Sequence, residues 1–215
     1  MLTVIGNLKG GTGKSTVAFN LAVWLAHDKR GVRVFDLDPQ ATLMDTAEIR
    51  EEDGYEPVIE VSNDVDELEM LANSKGSKNT AQLVADVSAT NMPQLEKAIS
   101  LARRILIPVQ PSQADIWSTQ RFLRFIDSAA GRHRPEVLGF INRGDTHRAV
   151  RESDEAAAAL VSLPGIRYLR PRLSQRTVYR RSFSEGLAVF EQEPRGKGAA
   201  ECNALAAVLY AELLV

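Results

Sequence analysis

One cysteine, Cys202, is all the chain has. That scarcity excludes an intramolecular disulfide framework, a cysteine zinc cluster and an iron–sulfur centre held by one subunit. Histidine is nearly as sparse, and His27, His133 and His147 show no metal-ligand spacing. Long apolar runs are missing too. None approaches the roughly 20 residues of a membrane span, and the opening MLTVIGNLKGG reaches lysine and glycine too soon for a signal peptide. The chain therefore reads as cytoplasmic. An excess of either charge is also lacking, with 26 Lys/Arg against 28 Asp/Glu and a net charge of −2. That sum hides a division. Residues 1–102 hold 9 Lys/Arg and 16 Asp/Glu, whereas the remainder holds 17 and 12. Such asymmetry marks either a partner that reads charge on one face or simply the spread of solvated surfaces.

What is present fits one α/β domain over residues 1–215. At 215 residues, 44% hydrophobic and 25% charged, a core needs no staples. Apolar runs of strand length alternate with helical patterns, which predicts a mostly parallel twisted sheet with helices on both faces. The expected strands are Leu2–Ile5, Val32–Phe35, Leu83–Ala85, Ile105–Val109, Val137–Ile141 and Ile166–Leu169. Residues 15–27 carry Val17, Leu21, Trp24 and Leu25 at helical spacing, and Ala199 to Val215 reads as a closing helix. A polar loop is expected at 74–79. The segment 45–69 holds 11 Asp/Glu with Arg50 the only base, and is expected as helix and loop on the solvated periphery. There is no repeat and no separating linker. The first strand begins almost at once, so no N-terminal helix-turn-helix domain is expected.

Between the first strand and first helix stands Lys9-Gly10-Gly11-Thr12-Gly13-Lys14-Ser15-Thr16. Glycines let the backbone turn its N–H groups inward as an anion cradle, and the following helix N-terminus adds its positive dipole end. Lys14 then supplies a mobile charge for the β/γ-phosphates, and the Ser15 hydroxyl is placed for Mg²⁺. ATP or ADP is the implied ligand. The loop departs from G-x-x-x-x-G-K-[ST], because Leu8 stands where the first glycine belongs and Lys9 is extra.

In these residues the chain resembles the deviant Walker A ATPases of the ParA/MinD family, whose signature is KGGxGK[ST]. The resemblance implies a P-loop NTPase fold and a specific role for Lys9, which would cross a dimer interface to the partner's nucleotide. ATP would join a sandwich homodimer and hydrolysis would release it. Phe35-Asp36-Leu37-Asp38-Pro39-Gln40 resembles the family's DxDPQ switch. By that resemblance Asp38 orients the attacking water and Asp36 supports the metal shell, although either carboxylate can instead cap the next helix. Leu83-Val84-Ala85-Asp86 resembles a Walker B strand, with Asp86 an outer ligand of Mg²⁺. Ile107-Pro108-Val109-Gln110-Pro111-Ser112 matches the strand and proline turn that follow, and Trp117 just beyond is read as core or dimer contact. Asn142 and Arg143 stand where the family reads adenine, and Pro171 falls in its base-binding loop.

Residues 166–181, IRYLRPRLSQRTVYRR, contain Arg167, Arg170, Arg172, Arg176, Arg180 and Arg181 with no acidic residue. Arginine interleaved with tyrosine suits phosphate-backbone contact. LSQRTVYRRSFSEGLAVFE resembles the small, ParF-like ParA proteins, whose ATP dimers bind DNA without sequence preference. The likeness implies a nucleoid-associated partition ATPase with a centromere-binding adaptor of the ParB/ParG kind. A relative that positions a protein cargo, such as a chemotaxis cluster or carboxysome, fits the same motifs. A MinD-like membrane ATPase fits less well, since LAAVLYAELLV at 205–215 has no Lys or Arg to face a bilayer. Nitrogenase-type metal carriage lacks its paired thiolates, and Lys9 with the DxDPQ segment argues against a P-loop ligase.

Overall fold

The computed structural model describes residues 1–27, 31–74, 81–130, 134–147 and 151–213. Its centre is β1 (Leu2–Ile5), whose four residues are all buried. On one side of it lie β4 (Gln82–Asp86), β2 (Val32–Asp36) and β3 (Val61–Ser62). On the other lie β5 (Arg104–Val109), β6 (Glu136–Gly144) and β7 (Arg167–Tyr168). An eighth strand, β8 (Leu173–Ser174), pairs with the far end of β6. Every pairing is parallel. The chain winds first to one side of β1 and then to the other, so a crevice opens at the carboxyl ends of β1, β4 and β5.

Strand residues alternate between two cores, as the pleat requires. Val4, Ala85 and Ile107 face one cluster with Leu68, Leu95, Phe122 and Leu160. Those come from α3 (Val65–Asn73), α4 (Met92–Leu101), α5 (Gln113–Ala129) and α6 (Glu152–Ser162). Ile5, Val84 and Leu106 face the other cluster with Leu21, Leu43 and Leu205, from α1 (Lys14–His27), α2 (Thr42–Glu52) and α9 (Lys197–Leu209). Burial on both faces explains why these strands read as continuous apolar runs. Helix starts follow local chemistry: the side chains of Asp64, Asn91 and Ser112 accept first-turn N–H groups of α3, α4 and α5. Between β8 and α9 lie α7 (Thr177–Ser184) and α8 (Val189–Gln192).

Several expectations change. The acidic segment is not only periphery: it supplies β3, and Arg50, Ile59 and Leu68 are buried. The closing helix starts at Lys197 and ends at Leu209, followed by a 3₁₀ turn over Ala211–Leu213. Trp117 is 54% exposed, which removes the core from its two readings. Of the 74–79 loop only Ser74 is among the described residues, and His133 lies outside them. No helix among the described residues is long and apolar enough to cross a membrane.

Candidate functional site

The loop between β1 and α1 is held open by its neighbours. Gln110 Nε2, at the end of β5, donates to the Gly11 carbonyl at 2.7 Å. Asn142 Nδ2, on β6, donates to the Thr12 carbonyl at 2.6 Å. In a trans peptide the N–H points opposite to the C=O, so drawing these two carbonyls outward turns the amides of Thr12 and Gly13 into the loop. Gly13 (φ 86) has no alternative, because a Cβ there would lie 2.5 Å from Asn142 Nδ2. Gly10 and Gly11 are exposed and Lys14 is buried in the first turn of α1. Ser15 and Thr16 follow it with partly exposed side chains.

Asp86 ends β4 opposite Asp36 at the end of β2. It is fully buried, and neither carboxylate oxygen has a hydrogen-bond partner among the described residues. Burial pushes its pKa up to about 7; the Ser15 hydroxyl and Lys14 charge pull it down, and the charges of Asp36 and Asp38 push it further up. A buried carboxylate with only the Ser15 hydroxyl near it, and no well-formed hydrogen bond, is what a divalent cation bound beside Ser15 would satisfy.

Asp36 is engaged differently. Its Oδ2 accepts from the Leu43 and Met44 N–H groups at 3.0 Å, and its Oδ1 accepts from Asp38 N–H at 3.2 Å. Through these bonds Asp36 fixes the turn that carries Asp38 and caps the start of α2. Burial raises the pKa of Asp36, partly offset by those three N–H groups. Asp38 is half-exposed at the crevice, where its Oδ1 accepts from Gln40 N–H. Ala41, just before α2, has φ 51 without being glycine, a strain typical of functional turns.

The expected adenine-reading residues border a cavity of about 280 Å³ that continues from Gly13 and Thr16 past Asn142 and Arg143. Between Asn142 and Gly144 the pairing of β6 with β8 is irregular, and Arg143 there takes φ 54. This local break leaves the Arg143 side chain exposed, where it lines the 280 Å³ cavity and a neighbouring one of about 490 Å³. Pro171 does not line the first cavity; Leu173, Ser174 and Gln175 do.

Four of the six arginines have acidic partners. Arg167 pairs with Glu136, Arg172 with Asp154, Arg176 with Glu201 and Arg181 with Glu193. Arg176 and Arg180 also line the 280 Å³ cavity. Arg170 and Arg180 are exposed and make no ion pair among the described residues. Sequence reasoning missed Gln110 as a brace of the loop, although it lies inside the quoted proline turn, and missed Asp115, which pairs with Lys9.

Comparison with known proteins agrees with this geometry. The maintenance of carboxysome distribution protein A of Halothiobacillus neapolitanus is 30% identical over 206 residues, covering 92% of this chain and 90% of that protein. Protein ParA of Rhizobium radiobacter is 28% identical over 189 residues, covering 86% and 83%. A plasmid partition protein of Borrelia burgdorferi B31, solved with AMPPNP, superposes with a TM-score of 0.72 at 17% identity, covering 98% of each chain. Residues 3–189, which run from β1 into α8 and so include the loop before α1 and most of the lining of both cavities, match the CobQ/CobB/MinD/ParA nucleotide binding domain. The chain belongs to that family, the family of the ParA/MinD-type ATPases.

Proposed function

We propose that this chain is an ATP-driven partition switch. ATP closes a sandwich homodimer, the dimer binds nucleoid DNA without sequence preference, and an adaptor of the ParB/ParG kind stimulates hydrolysis and release. The observation that carries the reading is the fully buried Asp86 carboxylate, without a well-formed hydrogen bond, beside a loop whose Gly11 and Thr12 carbonyls are drawn outward. Ser15 and Asp86 would hold Mg²⁺, with Asp36 behind them. Held there, the ion would supply positive charge against the phosphates. Lys14 and the loop amides neutralise the β/γ-phosphates, Lys9 reaches the partner's nucleotide, and Asp38 at the crevice mouth orients water. Asn142 and Arg143 receive the base.

For DNA contact we favour the two arginines that make no ion pair among the described residues, Arg170 and Arg180. Six arginines per subunit meeting phosphates would give a salt slope of about −11 per dimer, whereas Arg170 and Arg180 alone give about −4. The test titrates a nonspecific duplex with ATP and with ADP at two salt concentrations. Tight binding with ATP alone and a slope near −4 is expected. Equal binding with both nucleotides, or binding indifferent to salt, overturns it.

A second reading has a specific observation behind it: the 30% identical relative bears the name of a carboxysome-distribution protein. In that reading the switch and DNA surface are the same and the cargo is a protein assembly. Purifying the ATP-bound dimer with the product of the adjacent gene separates the two. A centromere-binding adaptor supports plasmid or chromosome partition, and an adaptor that binds a protein assembly supports the second reading.

A further inference from the structure

Lys9 is tethered within its own subunit. Its Nζ lies 2.5 Å from Oδ2 of Asp115. The Asp115 side chain is 1% exposed, against 40% for that of Lys9. Asp115 sits in the first turn of α5. The cap residue Ser112 accepts from Asp115 N–H and donates its hydroxyl to the same Oδ2. Oδ1 of Asp115 is buried without a hydrogen-bond partner among the described residues. Capping does not require this arrangement. Ser112 already caps α5, so a neutral side chain at 115 would leave that bond intact, yet the chain buries a full charge there and draws a lysine to it from 106 positions away. The lysine's backbone is fixed as well. Its N–H donates to Asn7 Oδ1 at 3.1 Å, and Asn7 Nδ2 donates to the Pro108 carbonyl on β5 at 3.0 Å.

We propose that Asp115 is a positioning residue that holds Lys9 in its own subunit until a terminal phosphate draws the lysine away, locking empty and ADP-bound chains against dimerisation. This rests on the cross-subunit reading of Lys9 given above. An ammonium group can neutralise one anionic site at a time. When Lys9 leaves, Asp115 remains a buried carboxylate with a single hydroxyl donor, a state of high energy in a low-dielectric interior. A site of dense negative charge offsets that loss, and a triphosphate provides more of it than a diphosphate. Two lysines cross per dimer, so the lock enters the dimer constant twice.

The test compares wild type, Asp115→Asn, Ser112→Ala and Lys9→Ala by sedimentation with AMPPNP and with ADP. Asp115→Asn keeps the side chain's size and removes its charge. Its dimer should form at about tenfold to hundredfold lower concentration with AMPPNP and should appear with ADP, where wild type stays monomeric. Ser112→Ala removes the competing hydroxyl, tightens the lysine's hold and shifts dimerisation to higher concentration, an opposite sign that stays readable if Asp115→Asn does not fold. Acetylation of Lys9 in the nucleotide-free chain, read by mass spectrometry, should be faster in Asp115→Asn. Unchanged dimerisation in Asp115→Asn, or tighter dimerisation in Ser112→Ala, overturns the lock while leaving the cross-subunit role intact if Lys9→Ala remains monomeric. Dimerisation of Lys9→Ala at wild-type concentrations refutes the underlying reading, and the lock with it.

Discussion

Replacing Arg50 by methionine tests how the switch helix is joined to the C-terminal region. The Arg50 side chain is 0% exposed at the end of α2. Its Nε donates to the Pro57 carbonyl at 2.9 Å and its Nη1 to the Gly186 carbonyl at 3.0 Å. Both terminal nitrogens reach the Glu191 carboxylate at 2.8 Å. Gly186 is part of the same lock: a Cβ there would come 2.6 Å from the Arg50 nitrogen. Removing one member of a buried pair costs about 3–5 kcal/mol. Glu191 would keep the Ala188 N–H and His27, so the lower end, about 3 kcal/mol, is expected. For a chain of this size that is about 6–12 °C in Tm by calorimetry. The pH dependence follows from Glu191. Burial works to raise its pKa, but hydrogen bonds from Arg50, His27 and Ala188 prevail and hold it below the ordinary value. A depressed carboxylate stabilises above its unfolded pKa, and that contribution is lost as pH falls through the folded one. In Arg50→Met the main depressing partner is gone. The gap to wild type should therefore be widest near neutrality and narrow as the pH falls below about 5. Arg50→Met/Glu191→Gln should recover much of the loss. A loss under about 1 kcal/mol, or a gap independent of pH, would refute the account.

Asp86→Asn should abolish ATP hydrolysis yet stabilise the nucleotide-free chain. Because the wild-type carboxyl is raised from 3.8 to about 7, its contribution to wild-type Tm in EDTA should fall as pH rises from about 4 to 7 and level off above, a component the variant should lack in thermal scans. Gly13→Ala, which must place a Cβ against Asn142 at φ 86, should weaken ATP binding at least about tenfold by calorimetry. Arg170→Ala should reduce the salt slope of DNA binding by about two per dimer; Arg167→Ala, already paired with Glu136, should leave it within error.

The phosphate loop was legible because its chemistry is contiguous: cradle, lysine and hydroxyl lie within Lys9–Thr16. The alternating βα pattern was legible because parallel strands buried on both faces read as apolar runs. β3 and β8, two residues each, are too short to carry a period. The braces were illegible for a different reason. Gln110 reaches Gly11 across 99 positions, Lys9 reaches Asp115 across 106, and Arg50 reaches Glu191 across 141. No local pattern encodes such pairs. The acidic partners of the arginine run were illegible for the same reason, since the sequence displays six like charges together and scatters Glu136, Asp154, Glu193 and Glu201 elsewhere.

The two side chains that pin the Gly11 and Thr12 carbonyls have a kinetic consequence. These bonds restrict the loop before a nucleotide arrives, so a small ordering cost is expected between encounter and capture. ATP and ADP share the diphosphate that this cradle receives, and they should associate at similar rates. On the proposed function, discrimination between them is then expected in residence time, in how long each nucleotide stays.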